Sequence, residues 1–164
     1  MFIELVESLR CIAPHEDSWL VAATRRMSGR SIVDGTLGCP VCRRSYAIAG
    51  GVAYFGVAAD DQSAGANDAS DSPPAPAEGE AVRLAALLGL TSSGGIVVLA
   101  GAWALHADAL AAIAPGVRLL LLDPPAATRG NDDDAASRDG TVSIVRAASD
   151  ALPLAAGAAR AVAF

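Results

Sequence analysis

Apolar residues change their spacing twice along this chain of 164 residues. Phe2, Leu5, Val6 and Leu9 fall on one helical face, which predicts a short helix too brief to persist without packing. "SWLVAAT" (18–24) and "SIVDGTL" (31–37) read as strands about a turn at Ser28-Gly29. "SYAIA" and "VAYF" flank Gly50-Gly51, a two-residue hairpin signal. Residues 57–79 are rich in Ala, Asp, Ser, Pro and Gly and offer almost nothing large to bury, so they read as a flexible linker. Beyond them, "EAVRLAALLGL" predicts a helix closed by Gly89, and "ALHADALAAIA" another stopped by Pro115-Gly116. "GIVVLAG", "VRLLLLD", "TVSIVRA" and "RAVAF" are near-continuous apolar strands. Strands of that kind separated by helices imply a parallel sheet covered on both faces. The loop "PPAATRGNDDDAASRDG" stands where a crossover helix is expected, yet has no apolar period.

Two small units are therefore expected: residues 1–56 and residues 80–164, joined by 57–79. The fold class is an α+β ribbon followed by a small α/β parallel sheet.

Charge narrows the function. The formal net charge is −6, every basic residue is an arginine, and no basic cluster is large enough to hold a nucleic-acid backbone. Residues 91–105, a run without a charge or histidine, are shorter than the roughly 20 apolar residues that span a bilayer, and their glycines fit a buried strand and turn. "MFIELVESLR" carries acids where a secretory leader carries basic residues, so the expected compartment is the cytoplasm. Three cysteines cannot all pair internally, which favours reduced thiols or metal ligands.

Cys39-Pro40-Val41-Cys42 is the strongest local signal. A tight C-x2-C turn aims both sulfurs at one point and turns backbone N–H groups toward them. The remaining ligand candidates are Cys11 and His15, with Glu16 or Asp17 able to replace the histidine. Three thiolates and one imidazole form a closed structural zinc complement, of the kind a domain of about 55 residues needs when its core is small. The bland alternative is ordinary reduced cysteines and a surface histidine. The pair does not open a helix after a strand, which argues against thioredoxin-like redox chemistry.

These residues also carry a resemblance. "LRC…H…WLVA" followed by "RSIVDGTLGCPVCRRSYAIAGGVAYF" resembles the Trm112-type zinc-ribbon family through Ile32, Gly35, Leu37, Cys39, Cys42, Tyr46, Ile48 and Gly51. The chain departs from that pattern where Cys11 is followed by His15 instead of a second cysteine, and where Ala53 replaces the usual proline. The resemblance implies a small partner that stabilises methyltransferases, and similar modules are fused to methyltransferase-like domains. The downstream "GGIVVLAGAWA", "VRLLLLDPP" and "VSIVRAASDALPLAAGAARAVAF" in turn resemble the first half of a class I SAM-dependent methyltransferase. That resemblance implies a cofactor-binding set of Gly101 at the first turn, Asp123 after the second strand and Asp150 after the third. Against it, the turn has one glycine where the family has three, Trp103 stands where the cofactor tail needs space, and Arg160 replaces an aspartate. The later strands are missing before Phe164.

Other features read as structural. Asp132-Asp133-Asp134 lacks the spaced carboxylates of a calcium loop. His106 has no visible partner for general-base work. Trp19 and Trp103 suit packing. The expected function is a non-catalytic, zinc-stabilised interaction or accessory protein, docking or self-pairing through an open C-terminal edge strand. The alternative is a SAM-dependent methyltransferase completed by a partner chain.

Overall fold

The computed structural model describes residues 1–56, 79–125, 128, 140–147 and 152–164. The expected linker, apart from Gly79, lies outside the described residues, as do Asp132-Asp133-Asp134. Among the described residues the molecule is an α+β fold built on one mixed sheet of eight strands, with few helices. The strands are β1 (Val21–Ser28), β2 (Ser31–Gly38), β3 (Ser45–Ala49), β4 (Val52–Phe55), β5 (Ile96–Ala100), β6 (Arg118–Leu122), β7 (Val142–Ala147) and β8 (Ala159–Ala163). Their spatial order is β1-β2-β3-β4-β7-β6-β5-β8. The first four form an antiparallel meander, and the last four run parallel to one another.

The two regimes meet at β4 and β7, which pair in parallel with Val52 opposite Ile144 and Phe55 opposite Ala147. The parts of the chain on either side of residues 57–78 thus share one sheet. The reason lies in β4. A four-residue strand bonded on one side by β3 leaves its other row of N–H and C=O groups to be satisfied, and β7 satisfies them.

Alternation along the strands divides the core by face. Val97, Leu99, Leu119, Leu121, Val142 and Ile144 face α1 (Glu80–Leu87) and α2 (Ala107–Ile113). Ile96, Val98, Leu120 and Val145 face the other way, onto Met1, Leu5, Leu9 and the inner residues of the meander. The second face is therefore covered by the N-terminal arm. Its helical spacing is realised as a single 3-10 segment, Ile3–Ser8, because six residues give too few α-type bonds to repay nucleation. Backbone bonds seat the arm: Ile32 N–H donates to the Met1 carbonyl at 2.7 Å, Ile3 N–H to Arg30 at 3.0 Å, and Phe2 N–H to Ser143 Oγ at 3.1 Å. Further along, Arg10 N–H donates to Pro153 and Ala155 N–H to Ser8, at 3.0 and 2.8 Å.

Three further differences from the sequence expectation have local causes. The first strand starts at Val21 rather than Ser18, because residues 10–19 form a loop closed by the Arg10–Trp19 bridge. That leaves Trp19 68% exposed instead of packed. The helix expected over 104–114 begins as a 3-10 turn, Gly101–His106, leaving β5 through Gly101 at φ +54°. Arg160 is a bulged residue of β8, since Ala159 pairs with Ile96 and Ala161 with Val97. Its guanidinium reaches the carbonyls of Gly89 and Ser92 at 2.6 and 2.8 Å, tying the edge strand to the turn after α1.

The Gly35→Ala substitution is expected to destabilise the protein by about 1–3 kcal/mol in a denaturant melt. A Cβ there would stand 2.6 Å from the Ala23 carbonyl oxygen, and that atom belongs to the paired backbone of β1. Asp34 is held below the ordinary carboxyl range by the Arg26 guanidinium, then by the Gly50 N–H. A lowered folded-state value means stability present above the unfolded carboxyl pKa and lost as pH falls through the folded one. Asp34→Asn should therefore flatten the acid limb of stability against pH, leaving a smaller difference from wild type at low pH than at neutrality.

Candidate metal centre

Cys11, His15, Cys39 and Cys42 converge. One ligand atom from each lies within 4.8 Å of the others, an arrangement compatible with a structural metal site. Two loops make it. Cys39 and Cys42 sit on the turn after β2, where Cys39 N–H donates to the Arg44 carbonyl at 2.8 Å and Arg43 N–H to Cys39 at 3.0 Å. Arg43 takes a left-handed φ of +61° to close that turn. Cys11 and His15 come from the loop at the end of the N-terminal arm, pinned by Cys11 N–H to Ser18 at 3.0 Å.

The sulfurs of Cys11 and Cys42 are 3.6 Å apart, and His15 Nε2 lies 3.2 Å from Cys11 Sγ and 3.4 Å from Cys39 Sγ. His15 Nδ1 stands 2.6 Å from the Glu16 carbonyl oxygen. A proton on Nδ1 donates to that carbonyl and leaves the Nε2 lone pair facing the sulfurs, the tautomer a metal requires. Glu16 thus contributes its main chain rather than its carboxylate, and Asp17 pairs instead with Arg10 at 3.5 Å. Tyr46, a motif residue of β3 with no ligand role expected of it, also takes part. Its hydroxyl lies 3.1 Å from Cys11 Sγ, and its ring stacks on Phe55 with centroids 4.6 Å apart. The signal was its place on the buried face of β3, close after the C-x2-C turn.

Electrostatics favour a cation at the centre. Burial pushes the Cys39 thiol up, but the N–H groups of Cys42 and Val41 and the side chains of Cys42 and Cys11 outweigh it and bring the thiol down to about 6. The Arg44 N–H favours ionised Cys42, yet burial and the adjacent Cys39 and Cys11 sulfurs prevail and raise it. Burial, then the Cys11 contact, pushes Tyr46 up to about 12, so its hydroxyl stays a donor. Beside the Cys39 sulfur, Cys42 resists ionisation. A central cation would offset that repulsion.

The residues expected to hold a nucleotide cofactor form a sparser set. Ala100 pairs with Leu122, so Gly101 and Asp123 follow adjacent strand ends of β5 and β6. Asp123 is exposed at φ +47°, and its Oδ1 accepts the Ala147 N–H at 3.1 Å, bonding the carboxylate to the end of β7. Asp150 lies outside the described residues. Trp103 is half-buried with its ring centroid 5.9 Å from that of His106. His106 is buried, and its Nδ1 has no hydrogen-bond partner among the described residues. Among the described residues, no helix is long and apolar enough to cross a membrane.

Chelation should lower the thermal midpoint by about 10 °C, and Cys39→Ser should do the same while abolishing stoichiometric binding of a divalent ion. Calorimetric melts beside elemental analysis check both. An unchanged melt after complete chelation would remove the stabilising role. Comparisons with protein-family models, with curated proteins and with solved structures return no match.

Proposed function

We propose that the protein is a zinc-stabilised, non-catalytic interaction or accessory module, in which a Trm112-like ribbon flanks a half methyltransferase-like sheet. Zinc is the ion that the donor set favours. Thiolate and imidazole are its preferred ligands, and a regular tetrahedron with metal–sulfur bonds of about 2.3 Å has edges of about 3.8 Å. The Cys11–Cys42 separation of 3.6 Å and the His15 Nε2 distances of 3.2 and 3.4 Å lie close to that value, and all four donors fall within 4.8 Å of one another. Four protein donors leave no open position, so the ion serves structure and activates no water.

The observation that carries the interaction reading is β8. It stands at the end of the strand order, with its outer main chain facing no other described strand. It presents Val162 40% exposed and is followed by Phe164 at 93%. An apolar edge of this kind pairs with a further strand. Affinity purification with mass spectrometry, beside light scattering, is expected to find a bound protein or a self-associated species. A monomer without a partner would overturn the reading.

A second reading, SAM binding, is favoured by the order β7-β6-β5-β8. It places the third, second, first and fourth parallel strands side by side, as in the 3-2-1-4 stretch of a dinucleotide-binding sheet. The single glycine at position 101, the half-buried Trp103 beside it and the bonded Asp123 carboxylate weigh against it. Titration calorimetry with S-adenosylmethionine should show no saturable heat. Saturation in the micromolar range would replace the accessory reading with a cofactor-binding one.

A further inference from the structure

The four ligands are not equally protected. Cys39 is buried, Cys11 is half-buried, and Cys42 is exposed. Cys42 is thus the sulfur that a dissolved oxidant meets first. Cys11 Sγ lies 3.6 Å from it, close enough to bond after a small side-chain adjustment. The two residues belong to different segments, one ending the N-terminal arm and the other on the turn after β2. A bond between them would join the same two segments that a shared metal ion joins.

We propose that Cys42 and Cys11 are a reversible modification site for a hydroperoxide, forming a disulfide that expels the ion yet keeps the arm fastened. The Cys42 thiolate attacks the peroxide; an S–O bond forms, the O–O bond breaks, and the departing oxygen takes a proton as water or an alcohol. The Cys11 thiolate then attacks the Cys42 sulfur; the S–S bond forms, the S–O bond breaks, and hydroxide leaves to become water. Two electrons pass from the sulfurs to the peroxide. Only Cys39 and His15 then remain as donors, and two ligands do not retain the ion against solvent. A dithiol reductant returns both thiols and restores the four-donor set. This inference rests on reading the four residues as a zinc centre.

The test uses the full chain as purified, titrated with hydrogen peroxide in the presence of a chromophoric zinc indicator. Proteolytic mapping without reductant then locates the linkage. The expected result is a Cys11–Cys42 peptide as the main product, one zinc released per disulfide, and recovery of both thiols and zinc binding with dithiothreitol. The oxidised protein should also melt above the reduced, chelated protein, because the linkage still closes the loop that the ion closed. A dominant Cys39–Cys42 linkage, or sulfinic acid at Cys42 without a disulfide, would overturn the proposal. So would a melt no higher than that of the chelated form. If the purified protein carries no zinc, the reading in the preceding subsection falls, and the peptide map by itself decides the Cys11–Cys42 pairing.

Discussion

The parallel ladder between Val52–Phe55 and Ile144–Ala147 joins two unlike halves into one sheet. Each half alone would expose a row of main-chain donors and acceptors, and a four-stranded antiparallel meander of this size has a small core of its own. Once β4 meets β7, the buried side chains of the meander and one face of the parallel strands become a single apolar cluster. It runs from Tyr46 and Phe55 to Val98 and Leu120. The register follows from that burial. Ala53 and Phe55 must point to the same side as Val145, and a slip by one residue would turn both to the opposite face.

The same cluster explains the N-terminal arm. A parallel sheet needs cover on both faces, and α1 and α2 lie on only one. On the other face, Leu5 and Leu9 supply apolar surface where a crossover helix would ordinarily lie. A 3-10 segment of six residues has little stability of its own. It holds its place because its ends are fastened, by Met1 to β2, by Ile3 to Arg30 in the turn before β2, and by Ser8 and Arg10 to Ala155 and Pro153. The Cys11–His15 loop continues directly from those contacts. An ion shared by the four side chains from this loop and the turn after β2 would therefore do more than close a local turn; it would fix the end of the segment that covers the sheet.

Crowded sulfur explains why the site is built as it is. Main-chain N–H groups bring Cys39 down to about 6, while burial and the neighbouring sulfurs hold Cys42 up, a repulsion that a central cation would offset. Tyr46 and the Glu16 carbonyl orient the partners around that requirement, one bonded to the Cys11 sulfur and the other setting the histidine tautomer. Asp123 shows the contrary case. It has the position expected of a ribose-binding acid, yet its carboxylate oxygen is bonded within the fold to the Ala147 amide.

Much of this was legible in the sequence, because its information is local. Period-two alternation in "SYAIA" and "VAYF", apolar runs such as "VRLLLL", and Pro115-Gly116 after a helical pattern each dictate an element through neighbouring residues alone. The C-x2-C turn likewise points to metal chemistry from its spacing, with Cys11 and His15 as the remaining ligand candidates and Glu16 or Asp17 open in place of the histidine. The sequence did not indicate that β4 would join β7, that the arm would cover the parallel strands, or that His15 rather than Glu16 or Asp17 would face the sulfurs. Nor did it show Trp19 in solvent. Those outcomes depend on which backbone edges and apolar faces remain unsatisfied after each local element forms. That balance is struck between residues as far apart in the chain as Phe2 and Ser143, and only the assembled sheet decides it.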